Sequence, residues 1–95
     1  PVDASLWNQK AYAQFRAGNY TDAMNSISIA LRIGSDNDKV RKYMAINAAK
    51  ILCAKGDVND GRNYIQQSIN AIPDLLPMVK KDLELGGICK IDLSK

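Results

Sequence analysis

The chain has 95 residues, 46% of them hydrophobic and 24% charged, with a net charge of +3 and no histidine. That length suits one domain burying about 60–70% of its unfolded surface, a core that needs neither disulfide nor structural metal. The missing histidine excludes Ser-His-Asp and Cys-His nucleophile pairs, imidazole ligation and histidine proton shuttling.

Cys53 and Cys89 form no CxxC pair, and two thiols alone close no zinc site. No run approaches the roughly 18–20 apolar residues of a membrane span, and the N-terminus lacks a charged-then-apolar signal layout. The chain opens on Pro1 rather than Met, which reads as an excised fragment or a processed product. Without a targeting segment a cytoplasmic setting is favoured, though the compartment stays unassigned.

Apolar periodicity predicts an all-α fold of about five helices. The first covers about 4–17, capped by Asp3 and ended by Gly18, whose freedom to adopt a left-handed conformation terminates helices. Asn19 then caps a second helix over 20–33, with Asp22 near the positive end of its dipole. Tyr20, Ala23, Met24, Ile27, Ala30 and Leu31 recur along it at helical spacing. Gly34-Ser35-Asp36-Asn37 is a loop. The third helix, 38–55, starts at Asp38. Gly56 and Asp57 repeat the earlier joint, and a fourth helix follows over 58–71. Pro73 stands where that helix has ended. A fifth, 74–85, starts at Asp74, tolerates Pro77 in its first turn, gathers Leu75, Leu76, Val79 and Leu83 on one face and ends at Gly86-Gly87. Beyond it Ile88, Cys89, Ile91 and Leu93 suit a frayed tail, an added strand or a short final helix. The cysteines read as reduced, small hydrophobes; a disulfide requires the tail to fold back beside the third helix.

Charge is unevenly placed. Residues 1–38 carry −1, residues 39–62 carry +4 through Lys39, Arg41, Lys42, Lys50, Lys55 and Arg62, and the remainder is neutral. Such a stripe attracts acidic peptides or phosphate backbones, but a solvated helix face is its commoner explanation.

A punctuating block occurs twice at a spacing of 38: Gly18-Asn19-Tyr20-Thr21-Asp22-Ala23 and Gly56-Asp57-Val58-Asn59-Asp60-Gly61. In the same frame Ala11 falls on Ala49, Asn25 on Asn63, Ile27 on Ile65 and Leu31 on Ile69. Each block is a tight helix-turn-helix joint, and small residues at Ala11, Ala13, Ala45, Ala48 and Ala49 allow close antiparallel helix pairs.

These residues resemble tetratricopeptide repeats. Trp7, Ala11, Gly18, Tyr20, Ala23, Ile27 and Ala30 stand at that family's signature positions in a first copy of about 4–37. A second copy, about 38–73, departs further: Ala45 replaces the tryptophan, Val58 the tyrosine and Gly61 the alanine. Its extra length over the usual ~34 residues is assigned to an added turn at the start of the third helix. Residues 74–95 then form a capping helix and tail.

The resemblance implies a right-handed superhelix whose first helices line a concave groove that holds peptides. By repeat position the groove receives Ser5, Asn8, Tyr12, Phe15 and Arg16 from the first helix. Tyr43, Ile46, Asn47, Lys50 and Cys53 come from the third, and Lys80 and Lys81 from the last. Arg16, Lys50 and the lysine pair favour a segment with acidic groups. Some relatives clamp a C-terminal carboxylate with a lysine and an asparagine four residues later in the first repeat; Asn8 and Tyr12 stand there, and only Asn47 matches the second-repeat asparagine, which disfavours a chaperone-tail clamp. Tyr12 and Phe15 suit groove anchoring and core packing equally, whereas Trp7 reads as a packing residue. Lys10 and Gln14 are polar where the family prefers apolar side chains.

The functional expectation is a non-enzymatic protein-interaction module binding a protein or peptide partner. Its alternative is self-association or structural packing within a larger protein; nucleic-acid binding ranks a distant third. No cofactor, metal or small-molecule substrate is expected, since Glu84 is the sole glutamate and no glycine-rich phosphate loop is present.

Overall fold

A computed structural model describes residues 3–91. All regular structure among them is helical: α1 (Ala4–Arg16), α2 (Tyr20–Ile33), α3 (Asp38–Ala54), α4 (Val58–Ala71), α5 (Leu75–Lys81) and α6 (Leu83–Cys89). Pro1 and Leu93 lie outside the described residues.

The two glycine joints close identically. At the first, the Gly18 amide donates to the Phe15 carbonyl and the Asn19 amide to that of Gln14. At the second, Gly56 donates to Cys53 and Asp57 to Leu52. This double bond back onto the last turn requires a left-handed residue, and Gly18 (φ 84°) and Gly56 (φ 103°) supply it. The short joints fold α1 against α2 and α3 against α4 as two helical hairpins. With the joints aligned, α3 exceeds α1 by one turn, and the excess falls at its start.

Capping is more selective than the sequence suggests. Asp3 accepts from the Ser5 amide at 2.7 Å. Asn37 rather than Asp38 caps α3, accepting from the Val40 amide at 3.1 Å, while Asp38 sits in the first turn and pairs with Arg41. Asn19, Asp57 and Asp74 occupy cap positions without a side-chain cap bond, and Asp57 instead binds Lys55 at 2.9 Å.

Helix α3 is the axis of the core, with Met44 through Ile51 continuously buried. One face packs on Phe15, Ile27 and Ala30 of the first hairpin. The other packs on Ile65, Leu75, Val79 and Leu85. Trp7 is partly buried against the first cluster, with the Lys10 ammonium 4.9 Å from its ring centre. Gln14 accepts a 2.6 Å bond from the buried Ser26 hydroxyl, which accounts for a polar residue at that position.

The chain departs from expectation after Lys81. The fifth predicted helix is two: Asp82 is extended (φ −88°, ψ 94°) and its side chain caps α6 through the Leu85 amide at 3.0 Å. A short acidic side chain competes well for backbone amides, and Asp82 is further held by Lys50 at 2.9 Å. The helix also does not stop at Gly86-Gly87. It continues to Cys89 and ends at Lys90 (φ 55°), because Leu85 and Cys89, both fully buried, anchor that face on α3.

That extra turn corrects the expectation of reduced thiols. Cys89 lies beside Cys53, with Cα atoms 5.2 Å apart, and the two form a disulfide. The bridge explains Gly61. A β-carbon there would collide with Cys53 Sγ and sit 3.0 Å from the Ala49 carbonyl oxygen, so even the alanine found at the matching Ala23 does not fit.

Candidate functional site

A cleft of about 540 Å³ opens between α1, α3 and the α5–α6 turn. Its floor is built by helical spacing: Ser5, Asn8, Gln9 and Tyr12 stand at i, i+3, i+4 and i+7 on α1, and Tyr43, Ile46, Asn47 and Lys50 do so on α3. Asn47 Nδ2 donates to Asn8 Oδ1 at 2.9 Å, and both residues are buried. No buried side-chain nitrogen or oxygen among the described residues lacks a partner. Both asparagines line the cleft, and that bond leaves Asn8 Nδ2 and Asn47 Oδ1 unused. Tyr43, 44% exposed, stands at the mouth.

One end is closed by charge. The Lys50 side chain, 7% exposed, bonds Asp82 at 2.9 Å and Glu84 at 2.8 Å, with its ammonium 5.3 Å from the Tyr12 ring centre. Glu84 also accepts from the Tyr12 hydroxyl at 2.9 Å and from Arg16 at 3.0 Å. Three donors from α1 and α3 therefore converge on one carboxylate. Desolvation opposes charge on Lys50, but its bonds to Glu84 and Asp82 outweigh that and raise its pKa above the ordinary lysine value. Desolvation likewise opposes ionisation of Glu84, and the bonds from Lys50 and Tyr12, with the nearby charges of Lys50 and Arg16, overcome it and lower its pKa.

No family model matches the chain, and no curated protein or solved structure matches it either.

Of the residues placed in the groove from sequence, Asn8, Tyr12, Tyr43, Asn47 and Lys50 meet in this cleft. Lys81 lines a neighbouring depression with Tyr43, Met78 and Leu83. Lys80 is exposed on α5 outside the lining. Phe15 is corrected to the core: it is 6% exposed, its ring tilted against those of Tyr12 and Tyr20 with centres 5.7 and 6.1 Å away. Arg16 lines a separate depression together with Glu84. Cys53 is withdrawn into the disulfide.

Of the expected basic wall, Arg16 and Lys50 are thus already paired with Glu84 and Asp82, while Lys80 and Lys81 form no ion pair among the described residues. The wider basic stripe is partly engaged: Arg41 with Asp38, Lys55 with Asp57, and Arg62 with the Cys89 and Lys90 carbonyls at 2.7 and 2.6 Å, whereas Lys39, on the cleft lining, and Lys42 pair with no carboxylate among the described residues. Sequence reasoning missed Glu84 and Asp82 as site residues. Its one available signal was a lone glutamate on a helix read as apolar capping.

No helix among the described residues is long and apolar enough to cross a membrane.

Proposed function

We propose that the chain is a protein-interaction module, built from two tetratricopeptide-like hairpins, that holds an extended segment of another protein in the α1–α3 cleft. The observation that carries this is the Asn8–Asn47 pair, whose bond leaves Asn8 Nδ2 as donor and Asn47 Oδ1 as acceptor on two residues that line a preformed cleft. That pairing matches the alternating donors and acceptors of an extended backbone, with Tyr43 as an apolar anchor at the mouth. Arg41, Lys50 and Lys55 pair with carboxylates, which leaves Lys39 and Lys42 as the unpaired lysines of the stripe and so fewer cations to replace counterions on a phosphate backbone.

Display selection of random peptides against the oxidised chain tests this reading. Ser5→Arg, at a partly exposed position on the lining, fills the cleft from solvent and leaves the core untouched. Selected peptides lose binding to Ser5→Arg and to Tyr43→Ala; a panel that binds both variants as it binds the wild type refutes the assignment.

A further inference from the structure

Resting on the cleft reading, we propose that residues 82–84 are a ligand carried in cis. Glu84 occupies the donors that Tyr12 and Lys50 offer at the edge of the cleft, the Cys53–Cys89 disulfide keeps it there, and reduction frees those donors for an acidic segment of a partner protein.

The bonding supports a ligand rather than a packing element. Asp82 and Glu84 both reach Lys50, while Leu83 between them is 83% exposed. The acidic-apolar-acidic stretch is therefore held by its carboxylates and not by burial of its apolar side chain. Glu84 alone collects Tyr12, Arg16 and Lys50, the donor set that an acidic side chain arriving from another protein would meet. Charge-assisted bonds of this kind are strong and directional, so cis and trans carboxylates compete for one place.

Besides these carboxylate bonds, the segment is tied down at its far end. Helix α6 has seven residues, too few to persist without tertiary support. Besides Leu85 and the partly buried Ile88, its anchors are Cys89, which the bridge ties to α3, and the Arg62 bonds to the Cys89 and Lys90 carbonyls. A dithiol reductant cuts the bridge through a mixed disulfide. The dithiol supplies two electrons and two protons and leaves as a disulfide, and Cys53 and Cys89 end as thiols. Both sulfurs are buried, so exchange proceeds from the locally opened chain. The competent fraction then rises and apparent affinity for a trans segment rises in proportion.

A fluorescein-labelled synthetic peptide of residues 80–88 serves as the trans probe, read by anisotropy. It is titrated into the oxidised wild type, the oxidised Glu84→Gln variant and the wild type reduced with dithiothreitol. The proposal expects the variant and the reduced chain to bind about tenfold tighter or more than the oxidised wild type, and a peptide with Asp82 and Glu84 replaced by their amides to lose that gain. Where circular dichroism shows the reduced chain unfolded, the oxidised Glu84→Gln arm decides. Equal affinity for oxidised wild type and variant overturns the proposal. If display-selected peptides still depend on Ser5 and Tyr43 in that case, the cleft reading stands alone; if they do not, both fall.

Discussion

Replacing both bridge cysteines with alanine removes the cross-link while keeping small apolar side chains at two buried positions. The bridge joins residues 36 apart in sequence, and closing a loop of that length withdraws about 13 cal/mol/K from the unfolded chain, or about 4 kcal/mol at 25 °C. For a domain of this size that corresponds to a melting temperature lower by roughly 15–30 °C. Urea unfolding followed by far-ultraviolet circular dichroism measures it. The midpoint falls in the double variant, and the slope rises because the uncrosslinked chain exposes more surface when unfolded. Dithiothreitol reproduces the shift in the wild type and does nothing to the variant. A wild-type midpoint indifferent to dithiothreitol, or two free thiols by alkylation and mass spectrometry of the air-oxidised chain, refutes the reasoning.

Gly61→Ala costs about 1–3 kcal/mol by overpacking α4 on the bridge, and part of that returns in a Cys53→Ala background, where the sulfur it meets is gone; equal costs in the two backgrounds would show the close approach is not to the disulfide. The carboxylate cluster makes stability fall at both pH extremes. Glu84 has a lowered pKa, so its contribution is present above the unfolded value of about 4.3 and is lost as pH falls through the folded value. Lys50 has a raised pKa, so its contribution is complete below about 10.4 and is lost as pH rises through the folded value. Urea midpoints against pH check this: Glu84→Gln flattens the acid limb, and an unchanged limb contradicts the cluster. Asn47→Leu strands the Asn8 amide and costs about 1–3 kcal/mol, whereas the Asn8→Leu/Asn47→Leu pair costs less than Asn47→Leu alone, measured by the same unfolding series.

The first four helices were legible because local chemistry decides them. Gly18 and Gly56 need no tertiary partner to end a helix, and the apolar rows of α2 and α4 point one way only. The break at Asp82 was not legible, because a lysine on α3, 32 positions earlier, draws that carboxylate out of helical pairing. The run through Gly86-Gly87 was hidden for a similar reason: two helix-breaking residues are carried by the burial of Leu85 and Cys89 on either side. For the site, repeat spacing picked out Asn8, Tyr12, Tyr43, Asn47 and Lys50, which line one cleft. It gave no warning that Lys50 and Arg16 already have a partner, since Glu84 belongs to neither repeat. Phe15 was ambiguous in sequence, being one residue from the groove row, and the space between Tyr12 and Tyr20 settles it in the core.

Amide chemical-shift mapping of the isotopically labelled chain with a display-selected peptide tests the central claim most directly. The account predicts that the largest shifts fall on Ser5, Asn8, Gln9, Tyr43 and Asn47, along the facing rows of α1 and α3. Shifts concentrated on the outward faces of α2 and α4, with those five residues unmoved, would contradict it.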